Sequence, residues 1–278
     1  MSDALTERFF HGPDGTEFAY VDVGTGDPIL LLHGWSSSLR WFERNIAALA
    51  ENHRVVALDF RGHGSSEKTE SGHVMEQYAR DVHDVVEGLE LDRPLMAGWS
   101  MGSIVLWNYV LQFGAGQASG MVFVGQSASD LTTPEYEHGI MTIDDLPQWI
   151  GALQTDREPM VRENMRLMVK HEPTAEELDW MTADYLRCPA HIAAVALYSQ
   201  TVTNSTPAFP KIDFPTQVYF GVDPKMYKLE HGKYLAGVIP GCELVVFEES
   251  GHVPMWEEPA RFVEEIERFS QRLAAARG

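Results

Sequence analysis

Apolar residues along this chain fall into two kinds of pattern. Short runs of strand length occur at Thr16 to Val21, Ile29 to Leu32, Val55 to Leu58, Leu95 to Ala97 and Met121 to Val124. The last four are nearly continuous rather than alternating, as expected for strands buried on both faces of a parallel sheet. Between the runs lie helical spacings. Phe42, Ile46 and Leu49 follow a 4,3 pattern, and Met75, Tyr78, Val82, Val85 and Leu89 follow 3,4,3,4. Strand, helix, strand in this order reads as α/β with right-handed crossovers.

The rhythm breaks near Ser129 and returns near Phe209, and helical signals crowd the interval. Thr174-Ala175-Glu176-Glu177 fits a capping box, and Leu178, Met181, Tyr185 and Leu186 supply an apolar face after it. Pro189 opens another helix, with Ile192, Val195, Ala196 and Ser199 sharing a side. Strand character resumes at Gln217 to Phe220 and Leu244 to Phe247, and a closing helix buries Phe262, Ile266, Phe269 and Leu273. The expected organisation is a core of residues 1–128 and 210–278 interrupted by a helical cap at 129–209, too long for an ordinary loop.

Composition changes this picture little. The 278 residues carry 21 Lys+Arg and 41 Asp+Glu, a formal charge of −20, and 44% are hydrophobic. That mix excludes a disordered chain. The acidic balance argues against a nucleic-acid partner, whose phosphates need clustered Lys and Arg. Cys188 and Cys242 are too few for a disulfide framework or a four-ligand zinc site, and read as two unrelated buried thiols. Met1 to Phe10 carries Asp3 and Glu7 without an apolar run, which is not a secretory signal. No stretch approaches the roughly 18 apolar residues of a membrane span. The expectation is a cytoplasmic protein with no membrane partner, compatible with a homo-oligomer.

The chemistry centres on Gly98-Trp99-Ser100-Met101-Gly102, placed between the buried run Leu95 to Ala97 and the helical Ile104-Val105-Leu106. In that context G-x-S-x-G reads as a nucleophile elbow, where glycines two positions either side of the serine avoid collisions at a strained turn. A serine nucleophile needs a general base, and histidine serves best near neutral pH. His252, in Ser250-Gly251-His252, follows the last predicted strand and precedes the closing helix. A carboxylate must then orient the imidazole. Asp223 follows the Val218 to Phe220 run and gives the order Ser, Asp, His; Asp130, after the run ending at Val124, is the alternative. The oxyanion hole is expected from the backbone amides of Met101 and of Trp35, the latter in Leu32-His33-Gly34-Trp35. The Trp35 side chain reads equally as a pocket wall or as plain core.

On these residues, with Asp59-Phe60-Arg61-Gly62-His63-Gly64-Ser65-Ser66, the chain resembles the α/β-hydrolase fold superfamily over about residues 5 to 127 and 212 to 276. Within it the chain is most similar to small bacterial carboxylesterases and lactonases of the cofactor-free haloperoxidase (perhydrolase) group. The resemblance implies a mostly parallel eight-stranded sheet with a helical cap after the sixth strand. It makes the Asp59 to Ser66 segment a structural turn, in which Asp59 and Arg61 bond locally. One departure stands out: the family places its acid three residues after the glycine ending the seventh strand, whereas Gly221-Val222-Asp223 places it two after.

Ser100 argues against epoxide hydrolases and haloalkane dehalogenases, which carry aspartate at the elbow. The expected activity is cleavage of a carboxylic ester or lactone through an acyl-serine, with neither metal nor organic cofactor. A thioester or C–C bond hydrolase, or a slow-turnover ligand receptor, is the alternative, and perhydrolysis is a side reaction of the same acyl-enzyme. Met141, Met160, Met165, Met168 and Met181, with Trp149, Trp180 and Tyr198, suit a small, mainly apolar substrate or serve as the cap's own core.

Overall fold

The structure is a computed structural model that describes residues 6–114, 116–134, 136–223 and 225–277. The first five residues of the N-terminal stretch read above lie outside these. Among the described residues no helix is long and apolar enough to cross a membrane. Cys188 and Cys242 are free thiols; Cys188 is buried as expected, whereas Cys242 is only half-buried.

Eight strands form one sheet in the order β1-β2-β4-β3-β5-β6-β7-β8. They are β1 (Arg8–His11), β2 (Glu17–Val23), β3 (Pro28–Leu32), β4 (Arg54–Leu58), β5 (Leu95–Trp99), β6 (Gly120–Val124), β7 (Thr216–Gly221) and β8 (Glu243–Phe247). β2 pairs antiparallel with β1 and β4, and the remaining pairings are parallel. Every residue of β5, β6 and β7 is buried, which accounts for their unbroken apolar runs. β1 was not legible: its Phe9 is half exposed at 50% and its sequence carries no run or alternation.

Helices cover both faces. These are α1 (Glu43–Leu49), α2 (Met75–Gly88) and α3 (Met101–Phe113) in the first half. Between β6 and β7 come α4 (Leu146–Thr155), α5 (Arg157–Met168), α6 (Ala175–Leu186) and α7 (Ala190–Val202), and α8 (Leu229–Val238), α9 (Pro254–Glu257) and α10 (Pro259–Arg277) follow β7 and β8. The capping box at Thr174 is formed: its hydroxyl accepts from the Glu177 amide and the Glu177 carboxylate accepts from the Thr174 amide. Pro189 is the N-cap of α7. The expected buried side of α7 needs one correction. Ile192, Ala196 and Ser199 are buried, but Val195 is 46% exposed, because it turns toward the open face shared with Tyr198 and Val202.

The turn after β4 ties the layers together. Both oxygens of the buried Asp59 accept backbone amides, Leu39 at 2.6 Å and Ser65 at 2.7 Å. The Phe60 amide donates to His33 Nε2, linking this turn to the loop after β3. Arg61 departs from the local bonding expected. Its Nε and Nη2 grip Asp81 on α2 at 2.6 Å each, and Nη2 also reaches Asp14. Arg61 and Asp81 are both buried, so each neutralises a charge the other could not shed to water. Replacing Arg61 with Met strands the Asp81 charge and should destabilise the fold by about 3–5 kcal/mol in denaturant unfolding. The double variant Arg61→Met/Asp81→Leu should recover most of that loss; no recovery would show that the pair's charge balance is not what matters there.

Candidate active site

At the end of β5 the backbone turns abruptly. Ser100 has φ 53° and ψ −120°, a conformation that costs a non-glycine residue about 1–3 kcal/mol and persists only where neighbours over-determine it. The neighbours do so here. A Cβ on Gly98 would lie 2.5 Å from the Gly102 carbonyl carbon, and one on Gly102 would lie 2.5 Å from the Leu32 oxygen. Strand β5, helix α3 and the end of β3 therefore touch backbone to backbone. The Ser100 amide donates to the Val124 oxygen at 2.9 Å, and the Ser103 hydroxyl donates to the Gly98 oxygen at 2.6 Å. Ser100 thus caps the start of α3, whose partial positive end faces the same space.

His252 sits in the loop between β8 and α9. Its amide donates to the Met168 oxygen at the end of α5 at 2.7 Å, and its carbonyl accepts the Trp99 indole N–H at 3.0 Å. The two glutamates at the junction of α9 and α10 hold the loop. Glu257 accepts from the Gly251 amide at 2.7 Å and from the Lys170 amide at 2.7 Å, while Glu258 accepts from the Ser250 hydroxyl at 2.6 Å. The imidazole stacks on Tyr227, with ring centres 5.0 Å apart and planes inclined by 29°. Burial pushes its pKa down to about 3.

Ser100 and His252 line one cavity of about 190 Å³. Trp35, Met141, Trp149, Leu167, Met168 and Leu197 supply much of its apolar wall, and Asn164, Gln200 and Lys225 its polar points. Of the methionines and aromatics named from the sequence, Met141, Met168 and Trp149 face this cavity. Met165 and Met181 are buried elsewhere, and Tyr198 is 53% exposed. Trp35 belongs to the wall, fixed by its indole N–H on the Ala193 oxygen at 2.8 Å and by an edge-on contact with Tyr185. Met101 occupies the first position of α3, where amides have no acceptor within the helix.

The two candidate acids stand differently. Among the described residues, neither carboxylate is hydrogen-bonded to His252, and the ring's buried Nδ1 has no hydrogen-bond partner. Nδ1 faces Gly125, directly after β6: a Cβ there would be 2.8 Å away. Asp223 adjoins the histidine loop through its amide, which donates to the Ser250 oxygen at 3.3 Å. Its carboxylate accepts the Lys225 amide at 3.0 Å and lies 3.2 Å from Lys225 Nζ. Asp130 is fully buried and accepts three donors, Gln126 Nε2 at 2.7 Å, Gln200 Nε2 at 3.0 Å and the Tyr227 hydroxyl at 3.0 Å. Burial raises the Asp130 pKa while those donors oppose the rise. Tyr227 links the two, its hydroxyl donating to Asp130 while its ring stacks on His252.

Several residues of this site escaped the sequence. Tyr227, Gln200 and Asn164 come from three elements whose meeting no local pattern encodes. Glu257-Glu258, at the junction of α9 and α10, carries no local signal that marks it as the clamp on the histidine loop.

Residues 29–265 match the Alpha/beta hydrolase family. The AB hydrolase superfamily protein YisY of Bacillus subtilis is 26% identical over 254 residues, covering 90% of this chain and 93% of that protein. A non-heme haloperoxidase of Rhodococcus erythropolis is 27% identical, covering 88% and 92% respectively. Among solved structures, the esterase EaEST of Exiguobacterium antarcticum superposes with a TM-score of 0.91 at 25% identity, covering 96% of this chain and all of that one. With the sheet order and the strand–serine–helix turn described above, the chain belongs to the Alpha/beta hydrolase family.

Proposed function

We propose that this protein hydrolyses carboxylic esters or lactones through an acyl-serine intermediate, with residues 129–209 acting as a cap over a core of residues 1–128 and 210–278. The observation that carries this reading is the strained Ser100 on the wall of the same apolar cavity as His252. Esterase and haloperoxidase names among its relatives agree with it.

In this mechanism His252 takes the Ser100 proton as Oγ attacks the substrate carbonyl. The amides of Met101 and Trp35 hold the resulting oxyanion. The intermediate collapses, His252 protonates the departing alcohol, and the acyl group stays on Ser100. His252 then deprotonates a water that releases the acid and restores the serine. The imidazolium formed midway needs a nearby carboxylate, because the buried ring otherwise resists charge. Asp223 is the acid we favour. Its carboxylate is held by one partly exposed lysine, whereas Asp130 would have to surrender three buried donors. A thioester or C–C substrate would use the same atoms, and a slow-turnover receptor would bind without sustained cleavage.

Turnover of p-nitrophenyl butyrate should be steady in the native enzyme and fall by about 10⁴-fold or more in Ser100→Ala and in His252→Ala. A burst without turnover favours the receptor, and undiminished activity in either variant removes that residue from the mechanism.

Asp223→Asn should lower kcat by about 10⁴-fold, the cost of mis-setting the imidazole tautomer, with Asp130→Asn affecting it far less. The reverse ranking assigns the acid to Asp130.

The pH profile tests the buried base. With its pKa lowered to about 3, His252 is neutral and competent well below pH 6.5, so the acidic limb of kcat/KM should lie below that value. Between pH 6.5 and 3 the unfolded chain binds the proton that the folded ring refuses, so stability should decline as pH falls through this window. A limb centred at or above 6.5 would contradict the buried neutral state.

A further inference from the structure

One side chain touches both halves of the proposed catalytic apparatus. Trp99, the last residue of β5 and the chain neighbour of Ser100, is fully buried. Its indole N–H donates to the His252 carbonyl at 3.0 Å, and its ring centre lies 5.5 Å from that of the imidazole with planes inclined by 51°. Its six-membered ring also supports the loop after β3. A Cβ on Gly34 would lie 3.1 Å from Trp99 Cε3 and 3.2 Å from Cζ3, so close that a side chain there would displace the ring or the loop. Gly34 immediately precedes Trp35, whose amide is the second oxyanion donor in the mechanism above.

The indole is itself braced. It packs on Trp41 with ring centres 5.0 Å apart, and Trp41 donates its own N–H to the buried Asp184 at 3.1 Å. Asp184 also accepts the Ser38 hydroxyl at 2.7 Å. An indole offers one donor in a fixed direction, so once the ring is packed its N–H points to one place. His252 is thereby gripped at both backbone groups, its amide by the Met168 oxygen and its carbonyl by Trp99. Stranding a buried carbonyl without its donor favours a shift of the loop that carries it. A displacement of about 1 Å at a reacting group can cost about 10²-fold in rate.

We infer that Trp99 is a positioning residue for both parts of the site: its N–H sets the His252 imidazole relative to Ser100, and its ring sets the Trp35 amide through Gly34. This rests on the ester-hydrolase reading above and adds to it a residue that touches no substrate.

The test separates the donor from the packing. Site-specific replacement of Trp99 by β-(3-benzothienyl)alanine keeps the bicyclic shape and puts sulfur where the N–H was. Two substrates then report on the imidazole. Ethyl butyrate needs its departing alkoxide protonated by His252, whereas p-nitrophenyl butyrate releases a stable anion. The comparison uses kcat/KM, which measures transition-state stabilisation relative to free enzyme and substrate. In the isostere kcat/KM should fall by about 10- to 100-fold for ethyl butyrate and several-fold less for p-nitrophenyl butyrate. Trp99→Phe, which also withdraws the second ring from Gly34, should lower both values further.

Unchanged kcat/KM in the isostere overturns the role of the N–H. An equal fall on the two esters also overturns it, since a smaller fraction of correctly folded protein lowers both alike. If circular dichroism shows the isostere unfolded, the same contrast between esters in Trp99→Phe decides. Trp99→Phe no worse than a folded isostere overturns the role of the ring at Gly34. Each of these results leaves the hydrolase reading standing, whereas no turnover of either ester by the native protein removes both readings.

Discussion

The site depends on a backbone collision avoided. Ser100 is held in a conformation that an ordinary residue adopts at a cost, and it stays there because β5, α3 and the end of β3 meet with no side chain between them at Gly98 and Gly102. That contact does two things at once. It lifts the serine out of a strand whose every residue is buried, and it aims the first amides of α3 at the same point. Any Cβ at either glycine would push the helix off the sheet, so the strain and the packing of the central strands are one feature.

Around that fixed point the site is assembled from both sides of the β6–β7 insertion. The imidazole of His252 is carried by a core loop, yet its amide is bonded to Met168 at the end of α5, and Glu257 bridges Gly251 and Lys170. Lys225 adds another link, donating to the carbonyls of Val169 and Lys170 at 2.8 and 3.0 Å while pairing with Asp223. The inserted helices therefore support the histidine loop. The same lysine couples the state of Asp223 to the segment after α5, because its ammonium serves both.

The buried polar group behind the cavity follows a different logic. Asp130 is neutralised by no cation among the described residues; three neutral donors surround it instead. Such a cluster is costly unless complete, and its completion dictates how two glutamines and a tyrosine are turned. Tyr227 carries that order to His252 by stacking, and Gln200 carries it to the cavity wall.

What was legible in the sequence is what local rules govern. Continuous apolar runs marked the central strands, because burial on both faces leaves no place for polar alternation. The capping box marked α6, and Gly-x-Ser-x-Gly between a run and a helical pattern marked the elbow, since these depend on residues within a few positions of one another. β1 was not legible, because an edge strand half open to solvent needs no such run, and Arg61 was expected to bond nearby when its partner lies on α2. The partners of His252, the cap on Asp223 by Lys225 and the orientation of Gln200 were decided only by the tertiary structure. Each is a contact between segments tens of residues apart, and its geometry is set by how the layers pack rather than by any spacing along the chain.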